Sequence, residues 1–229
     1  METPKRGDAV TCVFIGTGGH ASVLLDCLDH DRGVVVAGAL SRDRTSAGTT
    51  FHTVPVLGGD DLLPSLRSRG ITHFVVAVGG TGDNRPRRAL FDKAIAAGLV
   101  PLTVVHPRCI VSPSASVGPG CQLLPGAIVG AGARLGSNVI VNSGAIVEHD
   151  CDVGDHVHVA TGAQLASTVT LGTGAHIGAG ATVIQRKRVG EWAVVGAGAV
   201  VVRDVADGAV VVGVPARPFV RRASGRESE

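Results

Sequence analysis

The stretch Val141-Asn142-Ser143-Gly144-Ala145-Ile146-Val147-Glu148-His149-Asp150-Cys151-Asp152-Val153 decides the fold. It holds two turns of a six-residue pattern that runs without interruption from Val111 to Val201. Every sixth residue of that span is Val, Leu or Ile, and four places after each stands a second residue, from Ala115 and Cys121 through to Ala199 and Val205. That second residue is small and apolar in fifteen of the sixteen repeats, Lys187 being the exception. An α-helix repeats its apolar face every 3.6 residues and a strand alternates in twos, so neither explains the pattern. A period of six reads as a parallel β-helix. Each hexad is a short strand and a corner, and roughly three hexads close one triangular coil. The aliphatic residue points inward onto its counterpart in the next coil, and Gly, Asn, Asp and Ser supply the tight corners. At the spacing of paired strands the prism should be about 25 Å long. The period does not fix its hand.

Composition bounds what surrounds this element. The chain has 229 residues, of which the repeat claims about 95, leaving room for one further domain. A net charge of +2 makes no case for nucleic acid or membrane as partner, and the absence of Tyr removes the usual base-stacking platforms. Five cysteines show no metal or disulfide spacing, and Cys121 and Cys151 stand at small-residue positions, as packed thiols would. The opening METPKRGDAV lacks the apolar core of a secretory signal, and the apolar run Val194 to Val202 obeys the hexad rule and contains glycines. The expectation is a reducing, cytoplasmic setting with no membrane span.

Residues 9–105 read as a small α/β unit. Strands are expected at Ala9–Ile15, Val34–Ala39 and Thr72–Val78, with helices from His20 to about Leu28, over Asp60–Arg69 and from Arg85 to Ala97. Alternating strands and helices imply a parallel sheet with its ligand beyond the carboxyl ends of the strands. Two glycine-rich turns, at 16–19 and 79–82, stand at such ends. Gly16-Thr17-Gly18-Gly19-His20-Ala21 also satisfies the dinucleotide fingerprint. The acidic partner that would bind ribose hydroxyls is missing, because the second strand runs into Leu40-Ser41-Arg42. A phosphate of a nucleotide-linked ligand at the helix N-terminus fits better than NAD.

Histidines crowd the prism: His149, His156, His158 and His176. His156 alternates with inward Val157 and is expected outward and solvated. His158 and His176 are eighteen apart and should stack on consecutive coils, but two imidazoles fall short of a zinc site, so no metal is expected.

The chain as a whole resembles the sugar O-/N-acetyltransferase family of left-handed β-helix (hexapeptide-repeat) enzymes, which includes nucleotide-amino-sugar N-acetyltransferases and sialic acid O-acetyltransferases. The resemblance rests on Phe14-Ile15-Gly16-Thr17-Gly18-Gly19-His20, His106-Pro107, Pro113-Ser114-Ala115, Val141-Asn142, Glu148-His149-Asp150-Cys151, Gly154-Asp155-His156-Val157-His158 and Val212-Gly213-Val214-Pro215-Ala216. It implies a Rossmann-like acceptor-binding domain over 1–106, a left-handed β-helix acetyltransferase domain over 107–206 and a C-terminal tail over 207–229. It implies His149 as general base, with Asp150 holding its imidazole. A neutral imidazole suits the removal of a proton from an amine or hydroxyl attacking a thioester. Asn142 is implied near the acceptor. His158, Ala179 and Ala197 are implied against acetyl-CoA, and Gly18, Gly19, His20, Ser41, Arg42 and Gly79 in the nucleotide-sugar pocket. The family often has acidic residues where Ser41 and Arg42 stand. It also implies a homotrimer with the active site between neighbouring prisms.

The expected activity is transfer of acetyl from acetyl-CoA to the amino group of a nucleotide-linked amino sugar. A sugar O-acetyltransferase and a non-catalytic trimeric scaffold are the alternatives. Gln185-Arg186-Lys187-Arg188 reads as a locally bulged, solvated turn or as a cationic patch for the phosphates of CoA, and the charged segment from Arg217 to Glu229 as a frayed end.

Overall fold

The computed structural model describes residues 9–31 and 33–219. Most of the N-terminal decapeptide and of the charged C-terminal segment therefore lies outside the described residues. The first unit is an α/β layer. Its elements are β1 (Val10–Ile15), α1 (Gly19–Leu28), β2 (Val34–Leu40), β3 (Thr50–Phe51), β4 (Val54–Gly58), α2 (Leu63–Leu66), β5 (His73–Val76), α3 (Arg85–Ala96) and β6 (Val100–Pro101). The sheet order is β3-β4-β2-β1-β5-β6, parallel throughout except for the β3–β4 hairpin. Val13, Phe14 and Phe74 are buried on its central strands.

Two local features depart from the sequence reading. The hairpin of β3 and β4 was not expected, because Pro55 interrupts its second strand and its turn, with His52 at φ +50°, lacks the usual Gly or Asn. The helix expected over Asp60–Arg69 is only one turn of α-helix between two 3-10 turns, Asp60–Leu62 and Arg67–Arg69. Pro64 sits at its start and Gly70, at φ +79°, ends it.

The second unit is a triangular prism of two-residue rungs. Its first face stacks Val104–Val105, Gln122–Leu123, Ile140–Val141, His158–Val159, His176–Ile177, Val194–Val195 and Val210–Val212, with Arg217–Pro218 added antiparallel at the end. The second face runs from Ile110–Val111 to Val200–Val201, and the third from Ser116–Val117 to Arg188–Val189. Rungs pair in an 18-residue register, as in Ile146 with Gln164 and Gln164 with Thr182. Inward Leu123, Val141, Val159 and Ile177 are fully buried, and so are the small residues Ala127, Ala145, Ala163 and Ala181 behind the corners.

The three faces differ outside. The third exposes Ser116, Arg134, Asp152, Thr170 and Arg188. The first is covered by the α/β unit: its outward Gln122, Ile140, His158 and His176 are all buried, and Ile140 and Leu124 join the core of Cys12, Phe14, Ala21 and Leu24. Loss of one rung residue should be costly in so regular a stack. Leu165→Ala, which removes a side chain 1 % exposed between Val147 and Val183, should cost about 2–5 kcal/mol in a denaturant titration.

Candidate active site

His149 and Asp150 form the corner that follows the second face. Asp150 takes a left-handed conformation, φ +58°, which turns its carboxylate back beside its neighbour. The Nδ1 of His149 lies 2.9 Å from Asp150 Oδ2. A carboxylate only accepts, so Nδ1 carries a hydrogen, and in the neutral ring Nε2 is the nitrogen with the free lone pair. The two side chains are 54 % and 63 % exposed. The coil below must be bare to allow this: a Cβ on Gly132 would stand 2.7 Å from Asp150 Oδ1. Cys151 is a different kind of neighbour. It is fully buried, its thiol donates to Ala166 O at 3.2 Å, and burial holds its pKa above the usual thiol value. It is a packed residue and no thiolate.

A second group of polar side chains lies where the α/β unit covers the first face. His20, in the first turn of α1, meets Gln122 at 2.6 Å, and Gln122 donates in turn to Val76 O at the end of β5. His158 is 4 % exposed, with Nδ1 3.0 Å from Gly80 O and Nε2 3.1 Å from Asn142 Nδ2. A carbonyl cannot donate, so Nδ1 of His158 bears the hydrogen and Nε2 accepts from the Asn142 amide. The Asn142 Oδ1 accepts from Ser143 N–H at 2.8 Å, which fixes the amide from both ends. His176 packs edge-on against His158, ring centres 5.1 Å apart, as their stacking on consecutive coils predicts. Burial pushes His20 down to about 4 and His158 down to about 3, and lowers His176.

The same interface holds a buried cation. Arg87 of α3 donates to Val76 O, to Val78 O and to Asn138 Oδ1, and burial lowers its pKa to about 9. Asn138 lies 3.0 Å from His156, whose ring packs edge-on against Phe91. His156 is thus buried beneath α3 and not solvated as its alternation suggested, because this face of the prism is an internal one.

The third group is a cleft of about 640 Å³ beyond the carboxyl ends of β1, β2 and β5. Gly16, Thr17, Ser41, Arg42, Arg44, Asp60 and Pro86 line it, with Leu40, Val78 and Leu90 as apolar wall. Gly16 is required by packing, since a Cβ there would meet Val78 and the Ala77 carbonyl within 3 Å, whereas nothing stands within 4 Å of a Cβ on Gly18 or Gly19. Gly18 caps α1 without a side-chain hydrogen bond, which leaves the first amides of the helix open toward solvent. Gly79 abuts His20, so the two glycine turns meet.

The chain therefore gathers Gly18, Gly19, His20, Gly79, His158 and Asn142 around the seam between its units, with Ser41 and Arg42 in the adjoining cleft. Asn142 also begins the first corner of the prism, and exposed Ala179 and Ala197 follow on later coils of that corner, joined by Gly198 N–H to Ala179 O at 2.9 Å. His149 and Asp150 stand apart on the second corner. Sequence reasoning missed Arg44 and Pro86 in the cleft, and Arg87 and Gln122 in the seam. The signal available was the column of outward residues at period 18, where Gln122, Ile140, His158 and His176 contrast with the charged column of the third face.

The buried histidines set a pH dependence. In the unfolded chain they titrate near 6.5. As the pH falls below that value the unfolded chain binds protons that native His20 and His158 refuse until about 4 and about 3, so stability declines over this interval. The denaturation midpoint should drop between pH 7 and pH 4.5. Side-chain nitrogen NMR should show His158 as the neutral Nδ1–H tautomer with no titration from pH 5 to 8.

A family profile described as the PglD N-terminal domain matches residues 12–94. No curated protein matches the chain. Among solved structures, a histidine-to-alanine mutant of GDP-perosamine N-acetyltransferase from Caulobacter crescentus, in complex with CoA and GDP-perosamine, is 38% identical, with 92% of this chain and 97% of that one covered and a TM-score of 0.86. The acetyltransferase domain of PglB from Neisseria gonorrhoeae is 36% identical over 91% of this chain and 99% of that one, with a TM-score of 0.83, and has also been solved with acetyl coenzyme A. WeeI from Acinetobacter baumannii, 24% identical with a TM-score of 0.77 over 92% of this chain and 100% of its own, shares the fold. On these grounds the chain belongs to the left-handed β-helix, hexapeptide-repeat family of acetyl-CoA-dependent sugar acetyltransferases.

Proposed function

We propose that the protein transfers acetyl from acetyl-CoA to the amino group of a nucleotide-linked amino sugar, with His149 as general base. The observation that carries this reading is the 2.9 Å contact of His149 Nδ1 with Asp150 on an exposed corner, which leaves Nε2 free to accept a proton. The relative from Caulobacter, solved with CoA and GDP-perosamine, supports an amine on a nucleotide sugar as acceptor rather than a hydroxyl. In the reaction the amine nitrogen attacks the thioester carbonyl and its proton passes to Nε2. The Asp150 carboxylate stabilises the imidazolium that forms. The C–S bond then breaks, the imidazolium returns the proton to the departing sulfur so that CoA leaves as thiol, and the acetyl group stays on nitrogen as an amide. Donor and acceptor bind together, so no acetylated enzyme is required.

In this reading the nucleotide end of the acceptor occupies the cleft of Ser41 and Arg42, with a phosphate over the open amides at Gly18 and Gly19. His20, Gly79 and Asn142 then face the sugar. Ala179 and Ala197 line the donor along the first corner, and His158 stands behind Asn142, both its ring nitrogens already engaged. One chain keeps the His149 corner away from that corner, and a trimer of prisms would bring the two together from neighbouring subunits. Apolar residues facing outward on the second face, Ile110, Ile128 and Ile146, are suited to burial in such an assembly. Among the described residues no helix is long and apolar enough to cross a membrane.

His149→Ala should lower kcat by about 10²–10⁴ in an assay of thiol release with acetyl-CoA and a nucleotide-linked amino sugar, with the melting temperature unchanged. Full activity in that variant would end the assignment. Light scattering should give three times the 23.1 kDa chain mass.

A further inference from the structure

The corner that bears His149 carries charge in graded order along the prism. Glu148 and Asp150 stand at the level of the histidine, uncharged Ser167 and Thr168 one coil further, Arg186 with Lys187 two coils further, and on the next Arg203, beside Asp204 whose carboxylate accepts the Arg188 N–H at 2.9 Å. Backbone hydrogen bonds tie these turns in a ladder: Thr168 N–H donates to His149 O at 3.0 Å, and Arg186 N–H to Ser167 O at 3.1 Å. Asp150, Thr168 and Arg186 share one left-handed conformation, at φ +58°, +58° and +57°. Equivalent positions with equivalent backbones project their side chains along one line. At the spacing of paired strands, the Arg186 backbone lies about 10 Å along the edge from Asp150.

Lys187 deepens the anomaly. The bulged turn expected there is absent, since Arg188 pairs with Thr170 in ordinary register and Thr170 N–H donates to Lys187 O at 3.0 Å. A lysine therefore occupies a position of the regular coil that small apolar residues fill elsewhere, and its side chain is half-buried. Cations on the neighbouring third face are neutralised, Arg134 by Asp152 at 3.2 Å and Arg188 by Asp207 at 3.4 Å. Among the described residues, Arg186, Lys187 and Arg203 form no ion pair.

We infer that Arg186, with Lys187 and Arg203, binds the phosphate groups of the CoA portion of the acyl donor and so directs the thioester end of the molecule down the edge toward His149. The inference rests on the acetyl-CoA reading above and adds a site to it. The ligand is a polyanion joined by an uncharged pantetheine arm to a neutral acyl group, and the edge matches that order, with cations at one end, neutral residues between and the base at the other. The nucleotide diphosphate of the acceptor has the same phosphate chemistry, and the experiment separates the two.

The variant pair is Arg186→Ala with Lys187→Ala, the second of which restores the small residue found in the other repeats. Steady-state kinetics with acetyl-CoA, acetyl-dephospho-CoA and acetyl-pantetheine should show the KM for acetyl-CoA raised about tenfold, with kcat and the acceptor KM little changed. The KM for acetyl-pantetheine, which has no phosphate, should be the same in both proteins. A partial effect with acetyl-dephospho-CoA would show that the 3′-phosphate is among the groups held. An unchanged acetyl-CoA KM, an equal rise with acetyl-pantetheine, or a rise confined to the acceptor KM would overturn the inference. Arg186→Gln alone serves if the double variant melts below the wild type. Calorimetry with CoA keeps the two readings apart. No binding to the wild type would sink the acetyl-CoA function itself, whereas binding that the variants leave intact would sink this site alone.

Discussion

Up to its last coil the rungs of the prism are tied by the same bond: the N–H of one residue donates to the carbonyl seventeen places on, as Gln122 does to Val139, Ile140 to Val157 and His158 to Ala175. This ladder makes the register strict. A slip by one residue would turn every aliphatic side chain outward and every polar one inward, so the pattern of Val, Leu and Ile at six-residue intervals admits a single pairing. Function inherits that rigidity. Positions eighteen apart lie over one another whatever their chemistry, which is why a corner can carry a histidine on one coil and an arginine two coils away in a defined line.

The α/β unit docks on the face whose outward column is Gln122, Ile140, His158 and His176. Ile140 and Leu124 join its apolar core, and around them stand the polar contacts of Arg87, Gln122, His158 and Asn138. A guanidinium buried without a carboxylate is expensive, and Arg87 is tolerated because carbonyls at and just beyond the end of β5 and an asparagine of the prism accept from Nη1 and Nη2. The arrangement ties Gly80 to the prism through His158, which also holds the amide of Asn142. The neutral state of His158 follows from the same burial. It serves as an oriented dipole between Gly80 and Asn142, whereas the pair at residues 149 and 150 is exposed.

The candidate site was legible unevenly. The Glu-His-Asp-Cys segment stood out by its resemblance to the family, and the small-residue comb added only that Cys151 packs inward. The glycine turn was legible as a strand-to-helix turn, and Ser41 and Arg42 fall at the strand end that lines the same cleft. His156 misled, since strand alternation says only which side of the sheet a residue faces and says nothing of what covers that side. Arg44, Pro86 and Leu90 line the cleft from segments distant in sequence, and no local pattern links them.

From the amino-acid order alone followed the prism, its period, its inward comb, the corner position of His149 and the stacking of His158 on His176, because these depend on interactions that recur at a constant separation along the chain. The alternation of strands and helices ahead of it was equally local. Only the tertiary structure decided which face of the prism the α/β unit covers and that Arg87 and Gln122 hold the seam. Those features depend on how two separately folded surfaces meet, and surface complementarity between distant segments leaves no period in a sequence.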